Sequence, residues 1–432
     1  MRVVIVAEHA SAQFGGEAFL PLNYFRLLRS RQIETWLVSH IRTQAELEAL
    51  FPDAIDHMHF VEDTWLHRFL YHSSKILPRR VAEATTGILM HLYTEATQRR
   101  IVRQLVQEHQ IDIVHQPIPV SPKQPSLMFS VGAPVVIGPM NGGMNYPPAF
   151  QARQSRWVEH FVTLGRGSSN LFNRLLPGKL NAHSLLVANQ RTKQALPAGI
   201  QGTVVELVEN GVDLSVWRWD SSITKQADKP VQFVHVGRLV DCKAIDLLLK
   251  AFQPVATTTG ATLELIGDGV LRQELETQAA NLGLADHVIF TGWLSQANCA
   301  IKFQQADAFV LASLLECGGA VVLEAMAMGL PVIATNWGGP VDYVDASCGI
   351  LVSPTSPEIF VTELTAAMLK LAESSGLRSQ LGQAGRQRVL ADFDWERKVD
   401  RMIDIYQQTQ TAWQTESSGL VKLANTTSRS AE

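Results

Sequence analysis

The sequence predicts an α/β protein of two doubly wound domains, each built on a parallel sheet. Three observations carry this expectation. Short β-branched runs alternate with amphipathic helical stretches, the pattern of parallel strands joined by helical crossovers. The alternation restarts near residue 204. The chain has 432 residues, and a domain usually holds roughly 100–200.

In the first half, residues 3–7, 34–38, 111–115 and 133–137 read as strands, and 18–31 carries apolar residues at helical spacing. The second half opens with a strand at 204–209, the turn Asn210-Gly211-Val212-Asp213 and a polar break at 225–230. Strands then fall at 231–237, 262–266, 287–290, 308–312 and 331–334. Helices alternate with them at 244–256, 271–282, 296–305, 321–328 and 357–374. A last amphipathic helix is expected at 395–412, and residues 416–432, small, polar and aperiodic, read as a mobile tail.

Composition narrows the class. Apolar residues make up 46% and charged residues 18%, too apolar for a disordered chain. The net charge of −4 argues against a nucleic-acid partner, which needs clustered Lys and Arg. The cysteines at 242, 299, 317 and 348 form no C-x-x-C, so they read as reduced thiols of a cytoplasmic protein. No apolar run reaches the ~18 residues of a membrane span, and the N-terminal apolar run is too short for a secretory signal.

Two regions are less regular. Residues 60–108 look helical, with Trp65, Leu66, Phe69 and Leu70 near Arg68, Lys75, Arg79 and Arg80. Residues 151–180 set Arg153, Arg156, Arg166, Arg174 and Lys179 against Glu159 alone, interleaved with Trp157, Phe161, Leu171, Phe172, Leu175 and Leu176. Such a surface suits an anionic membrane. An apolar core face with a solvated cationic face reads equally well.

The segment 310–345 carries the strongest chemistry. A strand gives way to Glu316-Cys317-Gly318-Gly319, and a helix begins near Ala320. Glycines before a helix let a ligand approach the backbone, and the free N–H groups of the helix start favour a phosphate. Glu316 and Glu324 are acceptors for sugar or ribose hydroxyls rather than phosphate ligands. Glu324 also reads as a carboxylate placed by the helix dipole. This segment, with its Glu-x7-Glu spacing, resembles the signature of retaining, nucleotide-sugar-dependent glycosyltransferases of the GT-B fold, family four (glycosyl transferases group 1). The resemblance covers nearly the whole chain and is more specific in the second half. It implies that Glu316 holds donor-sugar hydroxyls and Glu324 the ribose, with Gly318, Gly319 and Ala320 at the donor.

A second segment, 233–243, ends a strand at Gly237 and supplies Arg238 and Lys243 beside a helix start. Two cations there suit a diphosphate, though each could be an ordinary surface charge. The segment is similar to the family's G-R-L-x-x-x-K-G element, which implies that Arg238 and Lys243 clamp the diphosphate; Ala244 stands where the family has Gly. Gly267-Asp268-Gly269 follows a strand, with Arg272 in the third Gly position of a dinucleotide fingerprint, and is a weak signal alone. Gly15 and Gly16, between the first strand and helix, resemble the family's N-terminal glycine loop and read equally as a plain turn.

At the acceptor centre, many family members place a His where this chain has Asn141. Asn141 cannot act as a base. His115, at the end of the preceding strand, stands at the edge where α/β proteins bind ligands. It is a candidate for a related role or a satisfied histidine. The resemblance implies that the leaving diphosphate serves as the base, which makes a protein base dispensable. Asp392-Phe393-Asp394 is a literal DxD, but Asp394 reads as an N-cap, and the diphosphate is neutralised by protein cations. No metal and no cofactor are expected.

The resemblance thus implies a hexosyltransferase with two Rossmann-like domains facing across a cleft. The acceptor side would comprise 1–203 and 390–415, the last helix crossing back, and the donor side 204–389. The acceptor would be a glycan, a lipid-linked saccharide or a small molecule, and the location the cytoplasm or the cytoplasmic face of its membrane. A non-catalytic sugar- or nucleotide-binding protein of the same fold is the alternative, suggested by Asn141.

Overall fold

The computed structural model describes residues 1–14, 16–75, 83–153, 169–220 and 229–429. The chain divides into two compact units. The first comprises Met1–Gly143, Trp157–Glu209 and Val399–Glu432; the second comprises Met144–Arg156 and Asn210–Lys398.

The first unit holds β1 (Arg2–Val6), β2 (Glu34–His40), β3 (Met58–Val61), β4 (Ile113–Gln116), β5 (Val135–Met140), β6 (Ser184–Val187) and β7 (Thr203–Glu206). They form one seven-stranded sheet in the order β3-β2-β1-β4-β5-β6-β7, parallel throughout. β1, β4, β5 and β6 are buried along nearly their whole length. That is why they read as continuous apolar runs rather than alternating ones. Helix Ile88–His109 lays Val102, Leu105 and Val106 on this sheet, against Val4, Val6 and Val114. Each such side chain contributes about 1.5–3 kcal/mol when fully buried.

The second unit holds β8 (Gln232–Val236), β9 (Thr262–Ile266), β10 (Val288–Gly292), β11 (Ala308–Leu311), β12 (Val332–Thr335) and β13 (Gly349–Val352). The order is β10-β9-β8-β11-β12-β13, again parallel. Helix Ile245–Thr259 buries Leu248, Leu249, Phe252 and Val255. Helix Pro357–Glu373 buries Phe360, Leu364, Met368 and Leu371 in the same cluster, and Thr365 Oγ1 donates to the Ala251 carbonyl at 2.9 Å. In each sheet the strand order reverses direction once, between β1 and β4 and between β8 and β11. These are the switch points at which such sheets bind ligands, beyond the carboxyl ends of the strands.

Several expectations need correction. The strand expected to open the second domain is β7, the edge strand of the first sheet, paired with β6. Residues 58–61 form β3, which overlaps the start of the stretch at 60–108 expected to be helical, and β6 and β13 lie outside every expected strand. The last helix runs from Trp395 to Arg429 instead of yielding to an irregular tail. No proline interrupts 395–429, and extending a helix costs far less than starting one. From Val399 onward this helix belongs to the first unit. There Arg31 Nε donates to Asp400 at 2.7 Å, and Gln410 Nε2 to Asp112 at 2.6 Å.

Candidate functional site

The switch point of the second unit brings two loops together. After β8 the chain runs through Gly237, Arg238 and Leu239 into a short turn at Asp241–Lys243. After β11 it runs through Ser313 to Gly319. Leu314 N donates to the Cys242 carbonyl at 2.8 Å, and the Lys243 ammonium forms an ion pair with the Glu316 carboxylate. Both partners are largely buried. Arg238 is exposed, and its guanidinium makes no hydrogen bond or ion pair with the described residues, while its carbonyl accepts from Val240 N at 2.9 Å.

Backbone geometry sets these loops. Gly319, at φ +77°, caps helix Ala320–Ala327 in the left-handed region, and a Cβ there would stand 3.0 Å from the Glu316 side chain. Gly267 has φ +135°, and a Cβ on it would lie 2.0 Å from the Gly237 carbonyl oxygen. The β9 loop therefore packs backbone to backbone against the β8 loop, with Leu239 N donating to the Asp268 carbonyl and Leu271 N to the Leu239 carbonyl. That is the role of Gly267-Asp268-Gly269 here: it supports the loop carrying Arg238. Ala244 also adopts the left-handed region, at φ +50°. This accounts for the family's Gly at that position.

Glu324 lies in the second turn of helix Ala320–Ala327. Burial of its carboxyl raises its pKa to about 8, and Gln296 Nε2 donates to its Oε1 at 3.5 Å. It is therefore largely protonated at neutral pH and presents both a donor and an acceptor. Two buried polar atoms at this switch point have no hydrogen-bond partner among the described residues: Ser313 Oγ and His235 Nε2. His235 Nδ1 donates to the Val310 carbonyl at 2.9 Å. Burial, reinforced by nearby Lys243, lowers its pKa to about 4, so Nε2 is a bare acceptor.

Other residues of the site were not singled out from the sequence. Gly339 N donates to the Glu316 carbonyl at 2.8 Å, so the loop after β12 fixes the Glu316 backbone. Val270 and Trp293, in the loops that follow β9 and β10, are 87% and 75% exposed.

The acceptor-side candidates are differently placed. His115 is fully buried; its Nε2 pairs with the Gly138 carbonyl at 2.7 Å and its Nδ1 with the Tyr406 hydroxyl at 2.6 Å. With both ring nitrogens engaged, it joins β5 to the last helix, which is the satisfied-histidine reading. Asn141 is also buried. Its amide nitrogen donates to Glu209 at 2.7 Å and its oxygen accepts from Arg191 at 3.0 Å and Thr192 at 3.3 Å. Gly16 begins helix Gly16–Ser30; Gly15 lies outside the described residues. Asp394 Oδ1 accepts from Glu396 N at 3.0 Å, so the DxD serves a helix start. Of the cations in 151–180, Arg153 pairs with Asp246. Lys179 is buried and donates to the Ser121 carbonyl, so neither is a solvated charge. Arg156, Arg166, Trp157 and Phe161 lie outside the described residues, as do Arg79 and Arg80.

Comparison with known proteins agrees with this geometry. Residues 218–388 match the family model of glycosyl transferases group 1. The match falls within the second unit only. Glycogen synthase of Mycobacterium tuberculosis is 28% identical over 204 residues, covering 47% of this chain and 48% of the relative. D-inositol 3-phosphate glycosyltransferase of Segniliparus rotundus is 33% identical over 215 residues, covering 47% and 46%. The chain thus spans about half the length of these curated relatives. Among solved structures, sucrose-phosphate synthase of Thermosynechococcus elongatus has a TM-score of 0.67 at 19% identity, covering 95% of this chain and 99% of that one. Anabaena HepE in complex with UDP has a TM-score of 0.62 at 16% identity, covering 94% and 100%. The fold is GT-B, with two Rossmann-like parallel-sheet domains.

Proposed function

We propose that the protein is a retaining hexosyltransferase that takes its sugar from a nucleoside diphosphate. The observation that carries this is the meeting of the β8 and β11 loops at the switch point, where Lys243 already faces Glu316 and the Arg238 guanidinium, in the β8 loop, has no ion-pair partner among the described residues. In this reading Arg238 and Lys243 meet the diphosphate, and Gly237, Gly318, Gly319 and Ala320 let it approach the backbone. Glu316 holds sugar hydroxyls and Glu324 the ribose. Val270 and Trp293 offer an apolar platform for the base. The relatives named for glycogen and inositol phosphate support sugar transfer to a hydroxyl, and the UDP complex of HepE supports a nucleotide-bound donor.

The reaction forms a bond between the anomeric carbon and the acceptor oxygen and breaks the bond from that carbon to the diphosphate. The acceptor proton passes to the departing diphosphate, on the same face. Charge developing on the β-phosphate is met by Arg238, Lys243 and free backbone N–H groups, the kind of preorganised stabilisation that dominates many enzymatic rates. The mechanism needs no protein base, in keeping with Asn141 and His115 both being held in internal hydrogen bonds, and no metal is assigned to the donor. The acceptor, a glycan or lipid-linked saccharide, is assigned to the first unit.

Contact with an anionic membrane at the cytoplasmic face is part of the proposal. Helix Trp65–Ser74 leaves Trp65 75% and Phe69 60% exposed, and Leu175, on the helix at 169–175, is 67% exposed. Among the described residues, no helix is long and apolar enough to cross a membrane. Co-sedimentation with anionic vesicles at low salt, lost in Trp65→Ser/Phe69→Ser, supports the contact; no pelleting removes it.

The test of the activity is incubation with a panel of UDP-, GDP- and ADP-sugars and candidate acceptors, with detection of released nucleotide and of the anomeric configuration of the product. Release with retained configuration supports the reading. Nucleotide binding without turnover by any donor supports the non-catalytic alternative instead.

A further inference from the structure

The first unit gathers titratable side chains at the carboxyl ends of β1, β2 and β3, outside the nucleotide site. His40 ends β2, Asp63 lies in the loop after β3, and His67 lies in the first turn of helix Trp65–Ser74. One ligand atom from each lies within 4.8 Å of the other two. We propose that His40, Asp63 and His67 form a binding site for a first-row divalent metal ion of the zinc type.

The donor set is the first argument. Two imidazoles and one carboxylate suit Zn²⁺ and its neighbours, whereas Mg²⁺ and Ca²⁺ prefer oxygen throughout. Three protein ligands leave a fourth position for water or a substrate oxygen. The second argument is an unsatisfied atom. His40 is 1% exposed, and its Nε2 makes no hydrogen bond but faces Asp63 Oδ1 at 3.5 Å. Leaving a buried polar atom unpaired costs about 1–3 kcal/mol, a cost that a metal bond removes.

The surroundings are those of an oriented ligand set. His67 is fixed on both sides, with Nδ1 accepting from Thr64 N at 3.2 Å and Nε2 against Thr94 Oγ1 at 3.0 Å. Metal binding exchanges one of these bonds and keeps the other as the outer-sphere contact that aims the ring. The His40 ring meets the His67 ring edge to face at 5.2 Å. His40 is held on its other side by Nδ1, which accepts from Arg42 N at 3.3 Å, a bond that ion binding at Nε2 would give up. One group opposes the ion: Arg42 donates to Asp63 Oδ1 at 3.2 Å. Its side chain is partly exposed and can turn into solvent.

The test uses the full-length protein, stripped with a chelator and titrated with Zn²⁺ against a chromophoric competitor, and separately with Co²⁺ while visible d–d absorption is followed. The proposal expects one ion per chain and a tetrahedral cobalt spectrum. Asp63→Asn and His40→Gln should weaken binding by at least about tenfold. Asp63 is partly exposed, so its variant should fold. Arg42→Ala removes the competing cation and should tighten binding. Absence of a stoichiometric ion in the wild type overturns the proposal, as does affinity unchanged across Asp63→Asn, His40→Gln and Arg42→Ala.

Discussion

The ammonium of Lys243 and the carboxylate of Glu316, 73 residues apart in the chain, form an ion pair at the switch point of the second sheet. It joins the loop after β8 to the loop after β11, and both ends belong to the proposed donor site. A nucleotide sugar entering there would split the pair, with Lys243 turning to phosphate and Glu316 to hydroxyls. The pair holds both groups near their working positions beforehand.

The first prediction concerns that pair. In a double-mutant cycle of Lys243→Ala and Glu316→Ala, unfolding free energies should show a coupling of about 0.5–3 kcal/mol. Each single variant should lose roughly 100-fold or more in transfer, the scale of removing one preorganised electrostatic contact. Additive stabilities measured by denaturant melts would contradict the pairing.

Glu324 gives a prediction in pH. Its unfolded side chain ionises near 4.5 and its folded one near 8. Between those values the folded state keeps a proton that the unfolded state has released, so this residue makes stability fall as pH rises. Glu324→Gln does not titrate. Its melting temperature should match the wild type near pH 5 and exceed it increasingly towards pH 8, with a gain of about 1–3 kcal/mol after allowance for solvent screening. A gap constant with pH would count against the raised carboxyl.

Gly267 tests the backbone contact beneath Arg238. Gly267→Ala places a methyl group against the Gly237 carbonyl at a backbone angle that L-residues rarely adopt. A destabilisation of about 2 kcal/mol or more is expected, from steric overlap and strain together. Thermal melts of Gly267→Ala and of the nearby control Gly260→Ala, which has open space for a Cβ, would separate the clash from the angle alone.

Trp293 should matter to the nucleotide and not to the fold. Trp293→Ala should weaken nucleoside diphosphate binding by about 1–3 kcal/mol through lost stacking, with unfolding unchanged within about 0.5 kcal/mol. Calorimetric titration that finds equal affinity would remove the base platform.

The parts legible in the sequence were those with strong local patterns. The helix at 296–305 and the strand at 262–266 fall where apolar spacing puts them. Length does not explain the missed β3, β6 and β13, which at four residues each match β4, β7, β11 and β12, all read from the sequence. β7 was read as a strand but given to the wrong sheet, because sheet membership depends on pairing, which no local run encodes. Arg238, Lys243, Glu316 and Glu324 could be named as candidates from residue type, and their roles from the family resemblance of the segments that carry them. What could not be read was that the β8 and β11 loops touch, or that Gly339 and Gly267 support them, since those contacts arise only when the sheet order reverses. His115 and Asn141 show the converse. Their chemistry invited a role, and both side chains are buried and held in internal hydrogen bonds.

The central claim, that the second unit binds a nucleoside diphosphate through Arg238 at the switch point, is tested most directly by a thermal-shift comparison. Wild type and Arg238→Ala would be melted with and without UDP, GDP and ADP. A ligand at 100 times its dissociation constant stabilises the native state by about 2.7 kcal/mol. The account predicts a clear rise in melting temperature of the wild type with at least one nucleotide, largely lost in Arg238→Ala, whose own melting point stays at the wild-type value. No shift with any of the three, or an equal shift in Arg238→Ala, would contradict it.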